Sequence, residues 1–157
     1  MQGHWVSFGF GFVTGLRSMT AGAALSWAAS MGKTQLTWIP SSSRARTIAA
    51  VAALGEMVVD KTPLAPDRRI APSMLLRLGI GATGGAALAG REASLLGGAL
   101  SGMAGAVVGV LVGSTARSGT TRPGEDWPRA LTEDAVAAAL AATLVYLAEP
   151  RRTPTRG

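Results

Sequence analysis

Between Glu92 and Arg117 the chain carries no charge: every residue from Ala93 to Ala116 is uncharged and most are apolar. That run exceeds the roughly 20 residues a helix needs to cross hydrocarbon, and a chain of 157 residues is room for only one domain. Its solvent is therefore expected to be lipid. Gly97, Ser101, Gly105, Gly109 and Gly113 recur at every fourth position and form one stripe, with Gly98 and Gly102 beside it. Small residues on a stripe let helices approach closely, which in lipid offsets the roughly 1 kcal/mol each glycine costs a helix. The stripe is expected to be a helix-packing and association face, with a homo-oligomer, a dimer first, as partner.

Composition agrees with lipid as the solvent. The chain is 48% hydrophobic and 15% charged, too apolar for disorder. Only 5% is aromatic and there are 21 glycines, a mixture suited to close helix packing. The mean hydropathy of +0.30 is diluted by Ala and Gly. With no Cys and one His, disulfides, thiolate nucleophiles, Cys-ligated metal and histidine triads are excluded, so no metal site and no cofactor are expected. The net charge of +6 comes from arginines placed singly or in pairs; without a basic run, nucleic acid is not an expected partner.

The segments read as about five helices, within a range of four to six, in one transmembrane domain over residues 1–148. Gln2 to Leu16 and Ser18 to Gly32 are uncharged stretches on either side of Arg17. Together they read as one helix, preferably unbroken, with Ser18 and Thr20 bonded one turn back; a helix broken near Arg17 is the alternative. No basic residue precedes this stretch, so a signal peptide is not expected. Residues 33–46 read as a loop flanked by Trp27 and Trp38, whose indoles favour a membrane interface. Helices are then expected over Arg46 to Val59, Pro72 to about Gly90, the glycine stripe, and Thr132 to Leu147. Residues 149–157 are expected to be a disordered polar tail. With five helices, six basic residues fall on one side and seven on the other, which orients nothing.

Charges inside apolar segments persist only when paired or hydrated, so they mark the candidate site. Arg17 interrupts the first helix; Glu56 and Asp60 lie one turn apart on the second, with Lys61 adjacent; Arg77 lies in the third; Glu133 and Asp134 begin the last. Arg17 is expected to pair with Glu56 or Asp60, and Arg77 with Glu133, Asp134 or the remaining carboxylate. Ser18 and Thr20 are expected to satisfy backbone groups beside Arg17. These residues either line a pathway or only fix helix register. The echo of Arg17–Thr20 (RSMT) in Arg117–Thr120 (RSGT) hints at an internal duplication. The Gly-Lys-Thr of Gly32–Thr34 imitates a phosphate-binding loop, but Trp27 stands where its first glycine is needed and no strand precedes it.

GLRSMTAGAAL (Gly15 to Leu25), GEMVVDKTPLAPDR (Gly55 to Arg68), Arg77 in a Gly/Ala-rich helix and LTEDAVA (Leu131 to Ala137) together resemble the bacterial membrane-protein family called domain of unknown function 4126, from about residue 8 to 148. The resemblance implies a small polytopic protein of the bacterial inner membrane, without an established activity. From the internal charges, the expected function is a transporter or channel for a small solute or ion. A noncatalytic membrane scaffold or lipid-binding protein is the alternative, and an enzyme acting on a lipid phosphate the third. No catalytic residue is assigned.

Overall fold

The computed structural model describes residues 2–59, 71–117 and 127–151, and all regular structure among them is helical. The helices are α1 (Gln2–Leu16), α2 (Ser18–Ser30), α3 (Ser43–Val59), α4 (Ala71–Ala87), α5 (Leu95–Arg117) and α6 (Trp127–Leu147). Six helices stand where five were expected, because the first hydrophobic segment folds as two. Arg17 alone is extended, at φ −146° and ψ 100°, and the chain reverses there.

The reversal follows from what each end of the two helices meets. At the start of α1, Gly3 lies against Gly90. At the end of α2, Gly32 O accepts from Arg151 N and Gln35 N donates to Ala87 O. Both helix ends therefore sit at one end of the bundle, with the last turns of α4 and α6. α1 and α2 form a hairpin that leaves this near end and returns to it. Its tip stops short of the far end: Gly15 lies against Ala106, Gly109 and Val110 of α5, and α5 continues to Arg117, about 10 Å beyond at 1.5 Å per residue. α6 begins at Trp127, a similar distance beyond Asp134, which meets the tip.

Backbone contact holds the hairpin to α5. A Cβ on Gly105 would collide with Phe8 O and one on Gly109 with Phe12 O, while Gly97 faces the His4 ring. A Cβ on Gly98 or Gly102 would instead strike Gly85 O or Gly81 O of α4. The stripe expected to bind a second copy is thus used inside the chain, against α1, and Gly98 and Gly102 form a second stripe for α4. Ser7 Oγ ties these elements together by donating to Gly85 O at 2.7 Å.

The remaining core is small: Phe10, Val13, Ala21, Leu25, Ala28, Ile39, Ala87, Leu88, Ala141, Val145 and Ala148 pack together. Helix boundaries have local causes. Ser42 Oγ accepts from Ala45 N and starts α3 before Arg46. Gly32, at φ +69°, ends α2 through Gly32 N to Ala29 O and Lys33 N to Ala28 O, the pairing that a left-handed glycine permits. The false phosphate loop is therefore a helix stop, and Lys33 Nζ caps α6 by donating to Val145 O and Tyr146 O. The tail expected to be disordered is held at its start: Glu149 Oε2 accepts from Arg91 N and Arg151 Nε donates to Thr34 O.

Among the described residues, α3, α4, α5 and α6 expose large apolar side chains. α3 buries Ala53 and exposes Ile48, Val51, Leu54 and Val58; Leu75, Leu76, Leu96, Leu100, Leu111, Val136 and Leu147 are exposed on α4, α5 and α6. One described helix, over Leu95–Thr115, is long and apolar enough by length and composition to cross a membrane.

Candidate functional site

A helix broken at one residue forfeits specific backbone bonds. Arg17 N still donates to Val13 O at 2.7 Å, and Arg17 O still accepts from Ala21 N at 3.1 Å. An unbroken helix would also carry bonds from Ser18 N to Thr14 O, from Met19 N to Gly15 O and from Thr20 N to Leu16 O. Here the four groups of the first two are taken by side chains. Arg77 Nη1 donates to Thr14 O at 3.0 Å and to Gly15 O at 2.7 Å. Glu56 accepts from Ser18 N at Oε1, 3.1 Å, and from Met19 N at Oε2, 2.9 Å.

The electrostatics match the helix ends. A cation sits on the carbonyl end of α1 and a carboxylate on the amide end of α2, the signs that helix dipoles favour. Arg77 Nη2 and Glu56 Oε1 lie 3.9 Å apart, so an ion pair is shared across the break and its two halves replace two of the lost backbone bonds. Without them, buried backbone groups would be orphaned at about 1–3 kcal/mol each. A second pair closes the tip: Arg17 Nη2 meets Asp134 Oδ1 at 2.5 Å, with the two side chains 1% and 8% exposed.

The structure thus gathers Arg17, Ser18, Glu56, Arg77 and Asp134 around one turn of backbone. Among the described residues Arg17 meets Asp134 of α6, which was not expected for it, and Arg77 lies beside Glu56 of α3, one of the carboxylates left open to it. Sequence spacing sets which face of a helix a charge occupies, but the hairpin sets which neighbours it meets. Thr20 is buried in the first turn of α2, and its Oγ1 has no hydrogen-bond partner; the break removes the arrangement in which it would bond one turn back. Ser18 Oγ faces Thr14 O across the break at 3.5 Å. Glu133 is partly buried beside Asp134. Asp60, Lys61 and residues 118–120 of the RSGT echo lie outside the described residues.

Sequence reasoning missed the backbone of Thr14, Gly15 and Met19, because no side-chain pattern marks a carbonyl or an amide as available. Their only signal was position, within three residues of a charge that interrupts an apolar run. The site is closed: Arg17 is 1% exposed. Outside it, an apolar groove of about 380 Å³ runs between α2 and α4, lined by Leu25, Leu75, Leu76, Gly79, Ile80 and Thr83. Among the described residues no group of three or more His, Cys, Asp or Glu could hold a metal ion. Comparison with family models, with curated proteins and with solved structures finds no match to this chain.

Proposed function

We propose that this chain is a multi-pass protein of the bacterial inner membrane that passes a small solute or ion, with the tip of the α1–α2 hairpin as its gate. In this reading α3, α4, α5 and α6 cross the bilayer and the hairpin is re-entrant. The apolar exterior supports it, since exposed leucines and valines on four helices would be costly in water and cost nothing in hydrocarbon. The polar interior supports it too, because irregular backbone is tolerated at membrane depth only where protein covers it. The resemblance to the domain of unknown function 4126 family leads to the same location.

The observation that carries the proposal is the split ion pair at the break. Discontinuous helices whose facing ends bind charge are how transporters build sites near the midplane, and here Glu56 and Arg77 occupy those ends. A carboxylate on an amide end and a guanidinium on a carbonyl end can be exchanged for a passing ion without unfolding either helix. The structure then corresponds to the occluded state.

Flux in proteoliposomes tests the proposal. Glu56→Gln and Arg17→Ala proteins that keep wild-type helicity in detergent are expected to lose at least tenfold of the flux of a permeant solute. Wild-type flux of every tested ion and small solute by both variants would remove these residues from any pathway. The burial of Arg17 favours a second reading, a scaffold in which the charges only lock the fold; it requires that wild-type protein pass nothing above the rate of empty vesicles.

A further inference from the structure

The near end of the bundle carries a feature that the gate does not use. The exposed aromatic side chains among the described residues are Trp5, Trp27, Trp38 and Tyr146. All four belong to this end: Trp5 in the first turns of α1, Trp27 in the last turn of α2, Trp38 in the loop after it, and Tyr146 in the last turn of α6. Trp27 and Trp38 are 54% and 66% exposed. Arg44 and Arg46 follow Trp38 in the chain and lie in the first turn of α3. The Arg46 guanidinium lies over the Trp27 ring, 5.1 Å from its centroid.

Along this part of the chain the charge is one-sided. Residues 1–55 contain no Asp or Glu, so no carboxylate on α1, α2, the loop or the first turns of α3 answers these arginines. The first turn of a helix favours acidic residues, because its amide end is electropositive, yet α3 begins with two arginines and no acid. Arg46 Nε is buried and has no hydrogen-bond partner. Indoles and tyrosine collect at the headgroup level of a bilayer, and paired arginines suit phosphate oxygens.

From this we infer that Trp27, Trp38, Arg44 and Arg46 form a docking surface for anionic phospholipid headgroups, each arginine reaching headgroup phosphate oxygens from its own side of α3 and the indoles entering the acyl boundary. The inference rests on the membrane reading and adds to it a lipid preference and a polarity: the near end faces the leaflet richer in anionic lipid. An arginine close to an anionic surface is worth about fivefold in affinity, so the two together are worth roughly 25-fold over a zwitterionic lipid at low salt.

Tryptophan quenching by lipids brominated on the acyl chain reads this surface directly. Protein carrying Trp5→Phe and Trp127→Phe, which leave Trp27 and Trp38 as reporters, is reconstituted in phosphatidylcholine with a few mole per cent of brominated phosphatidylglycerol or brominated phosphatidylcholine. Quenching by the anionic lipid is expected to be several-fold greater, and R44Q, which leaves the Arg46–Trp27 stack in place, is expected to remove most of the excess; R44Q/R46Q is expected to remove it all. Equal quenching by the two lipids in inserted protein overturns the inference and leaves the membrane reading standing. Loss of the excess to millimolar glycerol phosphate assigns the arginines to a soluble anion and also overturns it. Protein that stays in the aqueous phase, unquenched by either lipid, defeats the membrane reading as well.

Discussion

Arg77 satisfies the acceptors and Glu56 the donors of the same two lost backbone hydrogen bonds, and that makes them unequal to ordinary ion-pair partners. Removing Arg77 orphans Gly15 O, leaves Thr14 O only the long bond from Ser18 Oγ, and takes away the guanidinium beside Glu56. Arg77→Met is therefore expected to cost about 3–5 kcal/mol, the range for breaking a buried pair. Glu56→Gln keeps one acceptor for the α2 amide end and is expected to cost about 1–3 kcal/mol. The two costs should not add, because both changes act on one splice; a coupling of at least about 1 kcal/mol is expected. Unfolding by denaturing detergent in mixed micelles measures it. Additivity within about 0.5 kcal/mol would mean that the pair is not shared across the break. At this scale the sequence was informative about identity and silent about geometry. Arg17, Glu56, Arg77 and Asp134 stood out because charge is rare in apolar segments, while their partners depended on a reversal that no residue announces.

That reversal belongs to the scale of the element. Arg17 is neither glycine nor proline, and the residues around it suit a continuous helix, so the unbroken reading was the one local chemistry favoured. Tertiary charge overrides it: Arg77 and Glu56 stabilise two helix ends that the local sequence would have joined. The glycines were legible as packing residues, and the structure changes what they pack against. Gly105 and Gly109 meet the α1 backbone and Gly98 and Gly102 meet α4, so Gly105→Leu is expected to remove the α5–α1 contact and unfold the bundle rather than dissociate an oligomer. Gly22, Gly55 and Gly79 differ, because a Cβ there would meet nothing within 4 Å. Each changed to Ala is expected to stabilise its helix by about 0.5–1 kcal/mol. The same unfolding titration checks both signs, and a stable Gly105→Leu monomer, or a loss of stability in Gly79→Ala, would contradict this account of the packing.

At the scale of the whole molecule, the described residues bury charged and hydroxyl groups beside an apolar core and expose many large apolar side chains. Arg17, Arg77, Asp134, Ser7 and Thr14 are among those buried, and leucines and valines among those exposed. The hairpin places the chain's first residues at the same end as Lys33, Arg44, Arg46, Arg91 and Arg151. A five-helix path puts the N-terminus at the opposite end from Lys33, and this difference separates the two topologies cleanly. The sequence could not choose between them, since its basic residues divide almost evenly between the ends; Trp5, Trp27, Trp38 and Tyr146, the exposed aromatic side chains among the described residues, gather at the near end, while Trp127 begins α6 at the far end.

The most direct test of the hairpin is sidedness. The chain has no cysteine, so single cysteines can be placed at His4, at Ser41 in the α2–α3 loop and at Pro128 at the start of α6, all three exposed positions, and labelled with a membrane-impermeant thiol reagent in sealed, uniformly oriented vesicles. The account predicts that His4→Cys and Ser41→Cys react from the same side and Pro128→Cys from the other. Reaction of His4→Cys and Ser41→Cys from opposite sides would mean that the first segment crosses the membrane as one helix, and the reversal at Arg17 would be wrong.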